Sequence, residues 1–207
     1  LSVMQSNPSH GSIDGTLSEF PAMDFDATTY GKSLEITNTG TTTITWVSIY
    51  GDNSWIIVSP TSLVITPGAT RTLYVYVDRY QLTDGTHVSA VRLRRDSGII
   101  DYFPVTMVVD SFAMTGANFG CVSVPTTYAM DVPQSQIAIP FKWQFSSQPT
   151  WFKNMVPTSG TLASGSSTVN IHVTFTIDPT GQPVGVNSGY VVWTTTAGHY
   201  VFPFMAE

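Results

Sequence analysis

Residues 46–68 read WVSIYGDNSWIIVSPTSLVITPG, and residues 143–165 read WQFSSQPTWFKNMVPTSGTLASG. The second stretch is a diverged copy of the first. In each, a Trp is followed by a second Trp, a Pro-Thr-Ser triplet, a short apolar or threonine-rich run and a Gly that opens a strand. Pro60 and Pro157, Ser62 and Ser159, and Gly68 and Gly165 share one spacing of 97 residues, while Trp55 and Trp151 are one residue out of step. So long a period marks a repeated domain rather than a solenoid unit.

Outward from these stretches the pattern is one of short strands. Leu34, Ile36, Ile44 and Trp46 alternate with polar residues around the turn Asn38-Thr-Gly40, as half-buried strands do. Leu73, Val75 and Val77 share one face of TLYVYVD, the expected core face, with Tyr74 and Tyr76 on the other. Ile137, Ile139 and Phe141, then Val169, Ile171 and Val173, repeat the scheme in the second half. Short strands spaced by turn residues about every 8–12 positions, with almost no helical periodicity, predict an all-β chain of two tandem immunoglobulin-like β-sandwich domains. The expected divisions are an irregular N-terminal arm over 1–19, a first sandwich over 20–111 and a second over 112–207. The second carries an insertion, DPTGQPVGVN at 178–187, whose prolines and glycines predict a projecting loop.

Composition narrows the partners. Only 11% of the 207 residues are charged, so the surface is mostly hydroxyl and amide, well below the usual ~25%. Such a surface suits proteins packed against copies of themselves, because few charges are desolvated on association. Eight Lys and Arg against 14 Asp and Glu give a net charge of −6, the wrong sign for a phosphate-backbone binder; nucleic acid is set aside. No run is long and apolar enough to span a bilayer. The single Cys121 rules out an intrachain disulfide. The chain opens at Leu1 without an initiator Met or a signal-like run, which suggests either a processed mature chain or an excised piece of a longer one.

A family resemblance follows from these residues. Trp46, Trp55, Pro60-Thr-Ser62, Pro67-Gly68, Thr72 to Asp78, Leu82-Thr-Asp-Gly85, Gly98 and Phe103-Pro-Val105 together resemble a BACON domain, a bacterial immunoglobulin-like module. Trp151, Val156 to Gly160, Gly165 and Gly189-Tyr190 resemble the same family in the second half. The resemblance implies a sandwich found on secreted bacterial proteins and phage virions, serving as spacer, assembly unit or carbohydrate binder. It brings no agreed set of binding residues, and a fold does not by itself define a function.

Candidate sites are few. Trp46, Trp55, Trp143 and Trp151 recur in both copies, which points to core packing. Trp193 has no counterpart in the first copy; with Tyr50, Tyr74 and Tyr76 it forms the candidate carbohydrate platform. Arg92, Arg94 and Arg95 are the one basic cluster, read either as a solvated strand that resists unwanted pairing or as a contact with an acidic patch on a neighbouring subunit. Leu1, Val3 and Met4 of the arm are read either as a frayed terminus or as a strand added to a neighbour's sheet. Asp24 and Asp26 lack a calcium-loop pattern. The scattered His10, His87, His172 and His199 show no metal-ligand spacing, and His172 is expected to face outward. Cys121 is expected to be a buried small hydrophobe. No nucleophile elbow, phosphate loop or dinucleotide fingerprint occurs, so neither an enzyme nor a cofactor is expected.

Two function classes remain. The first is a structural subunit of an extracellular filament, surface structure or virion, whose partners are its own copies or other assembly proteins. The second is a carbohydrate-binding or adhesion module, suggested by the resemblance and by five Trp and nine Tyr residues.

Overall fold

Apolar and polar residues alternate along Ile100–Val109, and burial alternates with them: Asp101, Phe103, Val105, Met107 and Val109 point inward while the residues between are more exposed. This two-residue period recurs on most long strands and sets two sandwiches side by side in the sequence. The computed structural model describes residues 3–4, 9–14, 18–113, 116–133, 139–165 and 170–207, and among them there is no helix.

The first sandwich holds β1 (Val3–Met4), β2 (Ser9–Ile13), β3 (Ser18–Glu19), β4 (Met23–Phe25), β5 (Thr29–Asn38), β6 (Ile44–Gly51), β7 (Ile56–Ser59), β8 (Leu63–Ile65), β9 (Thr70–Val77), β10 (Gly85–Arg95) and β11 (Ile100–Val109). One sheet runs β3-β2-β5-β9-β7 with β1 also on β5, and the other runs β4-β11-β10-β6-β8. The second sandwich holds β12 (Ser111–Ala113), β13 (Ala117–Asn118), β14 (Thr126–Pro133), β15 (Phe141–Ser147), β16 (Phe152–Val156), β17 (Ser159–Leu162), β18 (Asn170–Ile177), β19 (Asn187–Thr195) and β20 (Gly198–Ala206). Its sheets are β12-β20-β19-β15-β17, with β13 also on β20, and β14-β18-β16. From β4 onward the two topologies correspond strand for strand, β5 with β14, β6 with β15, β9 with β18, β10 with β19 and β11 with β20. By compactness the chain divides between Val109 and Asp110, with Arg79–Leu82 grouped with the second unit.

The repeat is exact in its corners as well. The Asp78 N–H donates to the Trp55 carbonyl and the Asp178 N–H to the Trp151 carbonyl, both at 2.9 Å. Gly68 and Gly165 take φ of 75° and 70°, the left-handed region that only glycine enters freely. In the first sandwich Asn38 ties the Asn-Thr-Gly turn to this corner. Its buried Nδ2 donates to the carbonyls of Thr42 (2.8 Å) and Ile65 (2.9 Å), and its Oδ1 accepts from the Gly40 N–H (3.0 Å).

The arm lies on its own sandwich. Val3 and Met4, weighed above as a strand for a neighbouring subunit, instead pair in parallel with Thr29 and Gly31 of β5; Leu1 is outside the described residues. Ser9–Ile13 continues this pairing opposite Leu34–Asn38, and Ile13 is fully buried.

Around the first core, Arg95 and Asp101 are both buried and form a two-pronged ion pair, Nε to Oδ2 at 2.7 Å and Nη2 to Oδ1 at 2.8 Å. The Trp46 Nε1–H donates to the same Oδ2 at 2.8 Å. This corrects the place of Arg95 as a subunit contact: only 4% of its side chain is exposed, and its charge is already matched inside the fold. Asp101→Ala strands a buried guanidinium and an indole donor, so it should lower unfolding free energy by about 3–5 kcal/mol in urea titration. The apolar pair Arg95→Met with Asp101→Leu should lose clearly less than that single change.

Between β4 and β5 the Asp26 carboxylate accepts the N–H groups of Thr28 (2.8 Å) and Thr29 (2.7 Å). These backbone donors, Thr29 first, hold its pKa at about 2. A depressed carboxylate stabilises the fold above its unfolded pKa and ceases to do so as pH falls through the folded value. Part of the stability lost between pH 4 and 2 should therefore vanish in Asp26→Asn, as read by denaturation midpoints across that range.

Candidate functional site

The outward face of the β4-β11-β10-β6-β8 sheet carries a row of three side chains. Arg92 of β10 stands opposite Tyr50 on β6 and Tyr102 on β11. Tyr50 is 41% and Tyr102 64% exposed. The Arg92 Nε donates to Asp52 Oδ1 at 2.6 Å, and this bond, then the Asp52 charge, raises the guanidinium pKa further. Arg92 is thus oriented rather than free to sweep the surface. The next row is Ser48, Arg94 and Ile100, with Arg94 and Ile100 exposed. Arg92 and Arg94 therefore share one accessible face, as strand alternation requires, while Arg95 lies in the core.

A second aromatic strip lies on the opposite sheet. Tyr74 and Tyr76 of β9 hold near-parallel rings 6.5 Å apart at 13°, and Tyr30 of β5 lies 6.5 Å beyond Tyr76 at 17°. Tyr74 is 38% exposed and Tyr30 is buried. Burial, and then the neighbouring phenols of Tyr30 and Tyr74, push the Tyr76 phenol up from its ordinary value. The candidate platform is therefore divided: Tyr74 and Tyr76 stand together, and Tyr50 belongs to the other sheet.

Trp193 leaves the platform altogether. It is 0% exposed, with ring centroids 3.8 Å from Phe145 and 5.2 Å from Trp143, so no ring face is open to a sugar. Its counterpart in the first sandwich is Leu93, equally buried. The strand register supplies this match, since Arg95 pairs with Trp46 as Thr195 pairs with Trp143. The four repeat-equivalent tryptophans, Trp46, Trp55, Trp143 and Trp151, are all buried, as core packing expects.

In the second sandwich the 178–187 loop projects, with Val184 and Val186 exposed at its tip. It is not the insertion expected, because the 78–87 loop of the first sandwich has the same length and the same turn, the Leu82 N–H donating to the Arg79 carbonyl there and the Gln182 N–H to the Pro179 carbonyl here. Asp178 anchors its base by accepting from Lys153 Nζ at 2.6 Å and from the Thr180 N–H at 3.0 Å. These bonds, Lys153 first, hold the Asp178 carboxyl at about 2. Beneath the loop a hollow of about 300 Å³ is lined by Trp151, Ile177, Pro179, Pro183, Val184 and Val122. His172 faces outward, its Nδ1 2.9 Å from Asp131 Oδ1. Cys121 is exposed, not buried as expected, because it lies in the irregular segment after β13 rather than on an inward strand position. Among the described residues no group of three His, Cys, Asp or Glu side chains could hold a metal ion.

Sequence reasoning missed Tyr102 and Tyr30. Tyr102 was reachable: the Ser97-Gly98 turn closes a hairpin, and counting back from it places residue 102 opposite Arg92. Tyr30 had no such signal, since its partner strand is distant in sequence.

Residues 10–98 match the family model of the viral BACON domain. That range takes in β2 to β10 and every element that carried the resemblance up to Gly98, so the first sandwich is BACON-like; the second lies outside the match. No curated protein matches the chain. Similar solved structures include a Porphyromonas gingivalis W83 protein of unknown function, 12% identical, TM-score 0.37, covering 86% of this chain and 91% of that one. The Pseudomonas aeruginosa CupB2 chaperone is 11% identical at TM-score 0.37, covering 88% and 96%. The calcium binding domain CBD12 of CALX1.1 is 13% identical at TM-score 0.34, covering 83% and 76%. With TM-scores below 0.5, these likenesses carry no argument about function.

Proposed function

We propose that this chain is a non-enzymatic structural subunit of a virion or a related extracellular assembly, built from repeated immunoglobulin-like sandwiches. The observation that carries this reading is the match of residues 10–98 to the viral BACON domain. A weakly charged, hydroxyl-rich chain supports it, because such surfaces associate with little desolvation of charge. The aromatic and cationic row Tyr50-Arg92-Tyr102 supports it too, being of the composition enriched at the centres of protein interfaces. Arg92 and Arg94 then meet an acidic surface on a neighbour, and a chain of net charge −6 supplies one in its own copies.

Electron microscopy of purified protein, with immunogold labelling of particles from its source, should show regular assemblies or particle-bound label. A protein that stays monomeric at high concentration and is absent from every particle fraction sinks this reading. Within the assembly, Arg94→Glu should abolish incorporation without shifting the thermal midpoint, whereas Arg92→Glu also sets a carboxylate beside Asp52 and should lower the midpoint slightly.

A carbohydrate-binding role is the second reading, favoured by the near-parallel pair of the exposed Tyr74 and the half-buried Tyr76 on one sheet face. Glycan-array binding should then fall at least about tenfold in Tyr74→Ala and Tyr76→Ala, the scale of one lost aromatic contact. Retained binding in both variants would remove the strip as the platform.

A further inference from the structure

Among the described residues, every strand of seven residues or more has hydrogen-bonded neighbours on both sides except β14. An open edge of this length presents a row of unpaired N–H and C=O groups, which folded proteins ordinarily shorten, charge or cover. The other edge strands follow that rule, since β7, β8, β16 and β17 are five residues or fewer. On β14 the one charged residue is Asp131, and there is no Lys or Arg.

The first sandwich shows what belongs on such an edge. Its counterpart strand, β5, is covered by the arm through β1 and β2. That arm is committed where it lies. Ile13 is buried, its carbonyl accepts from the Thr39 N–H at 2.8 Å, and His10 Nε2 is 3.3 Å from Glu35. Gly40 sits so close to Asp14 that a Cβ there would lie 2.4 Å from the Asp14 carbonyl oxygen. The arm is fitted to its own sandwich and is not spare for β14.

We infer that β14 is a self-association edge, pairing antiparallel with β14 of a second copy across a two-fold axis centred on Ala129. Each copy owns the same uncommitted edge, and a two-fold contact satisfies both at once. The sequence TTYAMDV is complementary to itself about that centre. Tyr128 falls opposite Met130 of the partner subunit, a favourable aromatic and thioether pair. Thr127 falls opposite Asp131 of the partner subunit, a hydroxyl to a carboxylate, so the two acidic groups do not face each other. Pro133, which lacks an N–H, stands just beyond the paired residues. The product is a continuous sheet of order β16-β18-β14 followed by the same three strands reversed.

This contact deepens the assembly reading but closes on itself as a dimer, so a larger structure needs a second surface. The test uses the full chain with Cys121→Ser to remove thiol dimers. Light scattering behind size-exclusion, from micromolar to millimolar protein, should show a dimer. Ala129 is exposed, so Ala129→Lys and Ala129→Glu leave the core intact while each sets like charges face to face, and each should weaken the dimer at least about tenfold. Mixing the two variants should restore it. Ala129→Cys should give a disulfide-linked dimer on mild oxidation, because directly opposed Cα atoms about 4.5–5.5 Å apart suit a disulfide; Thr161→Cys should not. A chain that is monomeric throughout, or a dimer indifferent to charge at 129 and not linked through Cys at 129, overturns the inference. Large assemblies that persist in Ala129→Lys would uphold the structural-subunit reading while overturning this contact. A charge-sensitive dimer absent from any particle would do the reverse.

Discussion

The first sandwich turns on the buried contact of Arg95, Asp101 and Trp46. Three strands, β6, β10 and β11, each contribute one member. Burying two charges is costly, and the cost is offset only because both prongs of the guanidinium and the indole N–H meet the same carboxylate at 2.7–2.8 Å. A slip of one residue in the pairing of β10 with either β6 or β11 would turn one of these groups to solvent and leave the others unmatched. The contact therefore penalises every register but one. It fixes the register that places Arg92 between Tyr50 and Tyr102 on the outer face.

A second constraint works with it. Strict alternation from Trp46 would point Tyr50 inward, because the two positions have the same parity. The register shift near Trp46 and Ser48 inserts one extra residue, so that Trp46 and Ile49 are both buried while Tyr50 reaches solvent. A bulge of this kind re-aims side chains without breaking the sheet. In the second sandwich the shift falls later, between Phe145 and Ser147, and there Trp143 keeps its inward place while the charged contact is gone. Thr195 stands where Arg95 does, and Trp193 where Leu93 does. Aromatic volume replaces the ion pair, and among the described residues the buried Trp193 Nε1 has no hydrogen-bond partner.

These details explain what was legible in the sequence. The sandwich class, the repeat, the inward face of Leu73, Val75 and Val77, and the burial of the paired tryptophans all follow from local periodicity and from having two copies to compare. The fate of Arg95 and Trp193 does not. Each depends on a partner strand brought alongside by topology, so a basic triplet looked like one surface cluster and an unmatched Trp looked like a platform. Comparing the copies by the 97-residue spacing failed for Trp193 because the extra residues fall earlier, between Gly165 and Asp178, after which equivalent positions such as Asp78 and Asp178 are matched on a longer spacing. Once the register is known, its equivalence to Leu93 is plain. The arm misled for a similar reason: Ser9-His-Gly-Ser-Ile has too little alternation to announce a strand, and its pairing energy comes from β5.

The repeat also separates what holds the fold from what distinguishes the two sandwiches. Shared positions, namely the tryptophans, Gly68 with Gly165 and the corner bonds of Asp78 and Asp178, serve architecture. What is not shared lies in one core layer, where Thr195 and Trp193 stand for Arg95 and Leu93, and otherwise on surfaces and edges. The first sandwich has a covered β5 edge and an outer face bearing two arginines among tyrosines. The second has, among the described residues, an open β14 edge, no Arg, and Val192 in the place of Arg92. A duplicated domain that served only as a spacer would have no reason to cover one copy's edge with a fitted arm and leave the other's bare. Divergence at edges and outer faces, beyond what one repacked core layer requires, over shared corners, is the pattern expected when two copies of one domain have been assigned different neighbours.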